Sequence, residues 1–256
     1  MKVKRDGPSL WIREPGKAGR RVPARLVSRV VIIGNVRLDT DSLMLFSDHG
    51  VPITFLSSSG ETRASLLTAS SPDMRGRQRI LAEDDFFCRR AERWMETERR
   101  ANRLNVLRSL APALAREFEC LGFRNSDYDT ALLTLCPVAG RAAVWSMVSG
   151  LVHELVLQKI VDSGLDPHCG ILHRRESFGL CKDFLHVLDA EIDRQTVQFF
   201  HVKRPAENAR KNKRAVRPSA GVERHIIHRF ENHRPRISTM VDALLDGYFR
   251  LLREIP

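Results

Sequence analysis

The alternation of hydrophobic and polar positions predicts β structure in the first part of the chain. Residues 25–33 have the β-branched density of a strand, and residues 51–56 form a second apolar run that ends at a turn. Residues 9–12 have the pattern of a shorter strand. Asp39 and the polar residues after it offer N-cap groups to a short helix over residues 43–48. This part of the chain is therefore predicted to form a small β-rich module.

Farther along the chain, the apolar residues recur at helical spacing. The run at residues 142–163 is mostly apolar and predicts a helix buried at the centre of a domain, which Gly164 ends. Pro112 interrupts or restarts the long charged helix that precedes it, and residues 123–129 are polar and loop-like. The predicted helices cover residues 77–111, 142–163, 178–190, 222–233 and 237–255, with a further one beginning at residue 131.

These patterns predict an α+β protein in which a small β-rich N-terminal domain precedes a larger, all-helical domain. The change of pattern falls at the Ser-Ser-Pro-Asp sequence of residues 70–73. We place the N-terminal domain at residues 1–71, a linker at residues 72–76 and the helical domain at residues 77–256. A basic stretch at residues 203–218 contains few apolar residues and is predicted to be a loop.

The charge of the chain narrows the class of partner. The 256 residues include 42 Lys and Arg against 31 Asp and Glu, a formal net charge of +11. Such basic proteins usually bind nucleic acid or an anionic membrane surface, and no basic amphipathic helix favours the membrane. No apolar run approaches the roughly 20 residues of a membrane span, and the charged N-terminus lacks a signal-peptide core. We therefore expect a cytoplasmic protein that binds nucleic acid.

Two basic segments are predicted to follow the phosphates of DNA. The first lies on the long charged helix and the second in the basic loop, and both are rich in arginine, which suits bidentate phosphate contacts. The residues concerned are Arg99, Arg100, Arg103 and Arg108 in the first segment and Arg210, Lys211, Lys213 and Arg214 in the second.

The chemistry of the chain centres on a histidine and an aspartate. The five cysteines are scattered without a Cys-x-x-Cys pair, so neither a disulfide framework nor a zinc knuckle is indicated, and there is no glycine-rich phosphate loop. His173 follows a Gly-Leu-Asp-Pro turn after the buried helix, and Asp183 comes ten residues later. An imidazole and a carboxylate can share a divalent metal, which phosphodiester chemistry commonly uses to stabilise charge. A histidine in this position can equally be a hydrogen-bonded structural residue.

The residues around this pair resemble the CRISPR-associated integrase family of spacer acquisition, the Cas-one family. The most specific block runs from Gly-Leu-Asp-Pro at residues 164–167 through Gly-Ile-Leu-His at residues 170–173 to Asp183. Val-Ile-Ile-Gly-Asn at residues 31–35 and His-Gly-Val-Pro-Ile at residues 49–53 are similar to its N-terminal strands. The resemblance covers most of residues 25–190.

The resemblance implies a homodimer that assembles with a small ferredoxin-fold partner and inserts DNA fragments from double-stranded DNA into a CRISPR array. It also implies a Mg²⁺ or Mn²⁺ ion held by a glutamate, a histidine and an aspartate. His173 and Asp183 match the last two. Spacing suggests Glu98 as the glutamate, in a Glu-x-x-Ala sequence. An alternative alignment matches that motif to residues 139–143, and the glutamate is then lost.

One departure from the family pattern leaves two hypotheses open. The family has a second acidic residue three positions after the aspartate, where this chain has His186. Asp189 lies one helical turn farther on and is a candidate substitute. The first hypothesis is a metal-dependent DNA integrase or endonuclease that acts by transesterification. The second is a non-catalytic DNA-binding or assembly subunit with a decayed metal site. A third, an unrelated RNA-binding helical protein, predicts no β-rich module.

Overall fold

The computed structural model describes residues 1–27, 29–66, 74–136, 140–202 and 220–254. The chain divides into two compact units, Met1–Ser71 and Pro72–Pro256. The first contains the β-strands and the second is helical, so the α+β fold class predicted from the sequence is confirmed. The basic loop at residues 203–218 lies outside the described residues, and the predicted linker overlaps a helix that begins at Arg75.

The first unit contains two small sheets. Its elements are β1 (Lys2–Asp6), β2 (Ser9–Arg13), β3 (Arg20–Pro23), β4 (Val30–Ile33), β5 (Arg37–Leu38), α1 (Thr40–Asp48), β6 (Ile53–Leu56) and β7 (Thr62–Leu66). One sheet has the order β3-β2-β1-β5 and the other the order β4-β6-β7. β1 and β2 form an antiparallel hairpin, whereas β1–β5 and β4–β6 are parallel pairs.

Local signals account for some of these elements and miss others. α1 begins as predicted, because the Asp39 side chain accepts a hydrogen bond from the Ser42 N–H at 2.9 Å. The strand predicted over residues 25–33 is shorter, since Ala24–Leu26 forms a 3-10 turn and β4 starts only at Val30. β1 was not predicted, because Val3 is the one buried residue in a strand that is otherwise charged.

The second unit is built from helices: α2 (Arg75–Ala82), α3 (Asp85–Leu110), α4 (Pro112–Leu121), α5 (Asn125–Leu135), α6 (Arg141–Asp162), α7 (Gly179–Val187), α8 (Asp189–Val202) and α9 (Ala220–Glu254). The single helix predicted over residues 77–111 is two helices. Asp84 separates them, and its side chain caps α3 by accepting a hydrogen bond from the Phe87 N–H at 2.6 Å. Pro112 starts α4 at a position where its missing N–H has no consequence.

Three further helices differ from the prediction. α5 begins inside the stretch predicted to be a loop, and α8 was not predicted. α9 is continuous through Pro235, where the sequence predicted two helices. A proline inside a helix removes one backbone hydrogen bond, but α9 has fully buried apolar residues on both sides of it, Phe230 before and Ile237 and Val241 after. Burial of one continuous face therefore outweighs the loss.

α6 is the core of the helical unit, and α7, α8 and α9 pack against it. Among the described helices it is the one that is long and apolar enough to cross a membrane by length and composition. However, 72% of its most apolar window is buried inside the protein. Its packing is therefore that of a core helix, and its C-terminal end leads directly into the turn that carries His173.

Candidate functional site

Gly164 turns the chain out of α6 and towards His173. Its φ of +77° lies in the left-handed region that favours glycine. The N–H groups of Gly164 and Leu165 donate to the carbonyls of Val161 and Ile160 at 3.0 and 3.2 Å. These bonds satisfy the last carbonyls of the helix, so the chain leaves α6 in a fixed direction.

The side chain of Gln78, on α2, holds the turn that follows. Its Oε1 accepts a hydrogen bond from the Asp166 N–H at 2.7 Å, and its Nε2 donates to the carbonyls of Asp166 and Cys169 at 3.0 and 3.2 Å. Gln78 is fully buried, so these bonds form away from competing water. Arg79 adds an ion pair to the Asp166 carboxylate at 2.7 Å.

Two glycines allow the turn and the start of α7 to approach closely. A Cβ atom on Gly170 would lie 2.6 Å from the carbonyl carbon of Gly179, and one on Gly179 would lie 2.5 Å from the carbonyl oxygen of His173. Phe178 precedes α7 with a φ of +59°, and its ring stacks on His168 at 4.6 Å between centroids. The close backbone contact brings α7, and with it Asp183, underneath the loop.

Asp183 is fully buried, and its carboxylate binds the loop that carries His173. Its oxygens accept hydrogen bonds from the backbone N–H groups of Ile171, Leu172 and His173, the last at 3.1 Å. Asp183 Oδ1 also lies 2.7 Å from His173 Nδ1. Four contacts use the roughly four lone-pair sites of a carboxylate. Asp183 therefore fixes the loop and the imidazole ring, and leaves Nε2 as the ring nitrogen of His173 that can act on another group.

Glu96, on α3, is the carboxylate that reaches the surface beside this pair. Its Oε1 lies 2.8 Å from Nε2 of His186, on α7. The His186 and His173 rings are 6.5 Å apart between centroids. Burial alone would raise the pKa of Glu96, but the hydrogen bond with His186 and the charge of Arg99 lower it. Glu96 is therefore ionised at neutral pH.

Glu98, the glutamate suggested by sequence spacing, is not the residue placed beside His186. Two residues correspond to about 200° around an α-helix, so Glu98 leaves α3 on nearly the opposite side from Glu96. The sequence did contain a signal for Glu96. Glu96 lies three and seven positions before Arg99 and Arg103, which is the spacing of one helical face, and both of those arginines contact α8.

Asp189 does not replace the missing acid, because two arginines neutralise it. Its carboxylate forms ion pairs with Arg99 at 2.8 Å and with Arg103 at 2.6 Å. The side chains of Arg99 and Arg103 are only 17% and 5% exposed. These arginines therefore join α3 to α8, whereas the sequence had predicted that they follow DNA phosphates. Arg108 is more exposed and pairs with Glu119 at 2.7 Å.

Arg100 is the arginine of this group that faces solvent without an acidic partner. It lies over the ring of Phe123 at 5.9 Å and lines a pocket of about 440 Å³ together with Glu96 and Arg124. Within the described part of the chain, no ion pair involves Arg100 or Arg124. The predicted phosphate-binding residues of the second segment, Arg210, Lys211, Lys213 and Arg214, lie outside the described residues.

These side chains do not fit a Mg²⁺ or Mn²⁺ ion. In the described ranges, no group of three His, Cys, Asp or Glu side chains is placed to hold a metal. Hard cations such as Mg²⁺ prefer several oxygen ligands. Asp183 has committed its oxygens to the loop, Asp189 is bound by arginines, and Glu96 alone remains, in contact with His186. What the site holds is two imidazole–carboxylate pairs beside two arginines.

Comparisons with known proteins identify the fold. Residues 1–120 match the model of the family described as CRISPR associated protein Cas1. A search of curated proteins finds no match. Among solved structures, the chain is similar to TM1797, a CAS1 protein from Thermotoga maritima, with a TM-score of 0.81 and 15% identity over 98% of this chain and 94% of that one.

Two other solved structures share the fold. A casposase bound to its integration product has a TM-score of 0.69 and 15% identity, over 90% of this chain and 79% of that one. A Cas6-RT-Cas1–Cas2 complex has a TM-score of 0.73 and 12% identity, over 97% of this chain and 34% of that one.

The β-rich N-terminal unit, the helical C-terminal unit and these structural similarities show that the chain has the fold of the CRISPR integrases and nucleases. The family resemblance seen in the sequence is confirmed. Residues 1–120 match the Cas1 family model, and the rest of the chain shares the Cas1 fold.

Proposed function

We propose that this protein binds double-stranded DNA as a subunit of the CRISPR spacer-acquisition machinery, without the metal-dependent strand transfer that the sequence predicted. The observation that carries this proposal is the environment of Asp183. Its four hydrogen bonds favour a role as structural support for His173 over the role of a metal ligand. His186 stands where a second carboxylate was expected, and it is bound to Glu96.

Charge and relatives support the DNA-binding part of the proposal. A net charge of +11 favours a polyanionic partner. One structural relative is a casposase bound to an integration product, and another is part of a Cas1–Cas2 assembly. By the same reasoning we propose a homodimer that joins a small ferredoxin-fold partner, as the family resemblance implies.

The competing candidate is a Mg²⁺- or Mn²⁺-dependent integrase, and the retained His173–Asp183 pair favours it. The test is strand transfer of a short duplex with a free 3′-hydroxyl into supercoiled DNA, with and without Mn²⁺. We expect the duplex to bind in a gel-shift assay and no Mn²⁺-dependent joined product to form. A joined product that requires Mn²⁺ and disappears in His173→Ala would establish the integrase. If the duplex does not bind, the proposed function itself is wrong.

A variant sharpens this test. His186→Asp would restore an acid at the position where the family has one, three residues after Asp183. If the decayed acidic site explains the missing chemistry, this variant gains Mn²⁺-dependent joining or Mn²⁺ binding relative to the wild type. His49→Asp, in the other unit and exposed, is the matched control.

A further inference from the structure

We propose that the outer face of the sheet β3-β2-β1-β5 binds a single-stranded nucleic acid, with a base stacked on Trp11 and phosphates held by a row of basic side chains. The proposed function assigns duplex DNA to this protein, so a single-stranded site goes beyond it and does not depend on it. Every residue concerned lies in the β-rich unit.

The sheet has one apolar face and one basic face, because side chains alternate along a strand. On β1, Val3 is buried in the core of the unit, whereas Lys2 and Lys4 point the other way and are exposed. On β2, Trp11 and Arg13 share that exposed face, since they pair with Lys4 and Lys2. The basic face is therefore the one that the core of the unit leaves open to solvent.

Three cations stand side by side at one end of this face. Lys2 pairs with Arg13 across antiparallel strands and with Arg37 across parallel strands, although like charges directly opposite one another destabilise a sheet. Within the described part of the chain, none of the three forms an ion pair. Glu14, the carboxylate lining the pocket beside them, is bound to Lys17 at 2.5 Å. The row is therefore placed to receive an anion from a partner, in a pocket of about 660 Å³.

Trp11 supplies a ring for stacking next to this row. It lies two residues before Arg13, about 7 Å along the strand, and it is 41% exposed. Lys4 and Arg21 flank it on the neighbouring strands. A Cβ atom on Gly19 would overlap the Trp11 indole, so the ring already rests against the backbone there. A ring that is held in place loses little conformational freedom when a base stacks on it.

The exposed ring and the row of cations together favour a single strand over other anionic partners. Stacking on an aromatic side chain needs an exposed base face, which a single strand presents and a duplex keeps inside its own stack. A second copy of this chain would bring like charges together. An anionic membrane surface would need a broad apolar face, whereas here the exposed ring stands among cations.

The first test is fluorescence anisotropy of the full chain with labelled oligothymidylate of about 12 nucleotides and with an abasic strand of the same length. We expect Trp11→Leu to weaken oligothymidylate binding by about 10-fold or more and to leave abasic-strand binding unchanged, because only bases stack. Trp145→Leu removes an indole of similar exposure, 38%, from the helical unit. It is the matched control and should bind both strands like the wild type.

A second pair of variants tests the row of cations. The double variant Arg13→Gln/Arg37→Gln should reduce the magnitude of the log–log salt slope for oligothymidylate by about 1.4, at about 0.7 per phosphate contact. Arg63→Gln, on β7 of the other sheet and paired with Glu61 at 2.9 Å, is the matched control and should keep the wild-type slope. The double variant should also melt at a higher temperature than the wild type, since it removes like charges from the row.

The possible outcomes separate this inference from the proposed function. Wild-type protein that binds a duplex but not oligothymidylate would overturn the inference and leave the proposed function intact. The reverse result would support the inference and contradict the proposed function. Equal losses in Trp11→Leu and Trp145→Leu would overturn the inference, and so would Trp11-dependent binding to phosphatidylserine vesicles in place of oligothymidylate.

Oligouridylate of the same length identifies the sugar of the bound strand. The strand whose affinity falls in Trp11→Leu is the one that this face binds, and a loss with neither strand would overturn the inference. If circular dichroism shows that Trp11→Leu does not fold, the salt slope of the Arg13→Gln/Arg37→Gln variant carries the test, and an unchanged slope would overturn the inference.

Discussion

His153 is a buried histidine in the middle of α6, the helix that precedes the loop carrying His173. It is 6% exposed, and its ring meets the ring of Phe178 edge-on at 5.6 Å. Burial, with a smaller effect from Lys182, lowers its pKa to about 4. A charged imidazolium is disfavoured in such an apolar environment. His153 therefore remains neutral in the folded protein at pH values where it would be protonated in the unfolded chain.

This difference predicts an acid-sensitive fold. Between about pH 6.5 and pH 4 the unfolded chain binds a proton at His153 and the folded chain does not, so the free energy of unfolding falls as the pH drops through that window. At 1.36 kcal/mol per pKa unit, the loss is at most about 3 kcal/mol. His153→Gln should flatten this pH dependence in denaturant titrations, whereas His201→Gln, an exposed control, should not. Equal pH dependence in all three proteins would contradict the prediction.

Two arginines of α3, Arg103 and Arg100, are predicted to differ in what they stabilise. Arg103 is 5% exposed and shares Asp189 with Arg99, so Arg103→Gln should lower the free energy of unfolding by about 2 to 4 kcal/mol. Arg100 forms no ion pair with any described residue, so Arg100→Gln should change stability by less than about 0.5 kcal/mol. In contrast, Arg100→Gln should weaken duplex binding and reduce the magnitude of its log–log salt slope by about 1. Gel shifts at several salt concentrations measure the slope, and an unchanged slope would show that Arg100 does not contact DNA.

At the scale of elements, the site depends on how α2, α3 and α7 meet the loop after α6. Gln78 of α2 binds the turn through three hydrogen bonds, and Asp183 of α7 binds the loop through four contacts. The backbones of Gly170 and Gly179 touch where the turn crosses the start of α7. The loop therefore has its shape imposed by two helices that are distant from each other in sequence.

This crossing predicts opposite effects for two glycine substitutions. The added methyl group in Gly179→Ala would lie 2.5 Å from a backbone oxygen, and backbone cannot move aside cheaply, so we expect a loss of at least about 2 kcal/mol in the free energy of unfolding. Gly76 lies in α2 with open space around it, so Gly76→Ala should stabilise the protein by about 0.5 to 1 kcal/mol. Thermal melts of both variants measure these changes in stability. A neutral Gly179→Ala would show that the helix and turn can separate.

At the scale of the whole molecule, the excess of positive charge governs how the chain meets DNA. Several acidic residues of the helical unit are already paired with arginine or lysine, including Asp166, Asp189, Glu191 and Asp242. The unpaired positive charge is therefore available to a polyanion, and binding should release counterions from DNA.

This charge predicts a steep dependence of DNA binding on salt. If about six phosphates are contacted, the affinity for a duplex of any sequence should fall by about 1,000-fold between 50 and 200 mM salt. Fluorescence anisotropy with two duplexes of unrelated sequence measures this affinity at each salt concentration. A flat dependence on salt, or a strong preference for one sequence at all salt concentrations, would contradict an electrostatic mode of binding.

The sequence by itself determined the features that depend on a few adjacent residues. The Asp39 cap, the stop of α6 at Gly164 and the break at Pro112 each depend on a few adjacent residues, and the apolar run of α6 is a continuous stretch of sequence. The motif around His173 also carried the family resemblance. These signals are local because capping, helical periodicity and the conformational freedom of glycine act over only a few residues.

The tertiary structure alone decided which side chains meet at the site. Glu96 reaches His186 across 90 positions, and Arg103 reaches Asp189 across 86. The spacing of Glu96 from Arg99 and Arg103 puts the three on one face of α3, but which face of α3 meets α7 depends on the rotation of one helix against the other. The same packing also makes Asp183, predicted to be a metal ligand, the buried support of His173, since the backbone N–H groups of the folded loop donate to its oxygens.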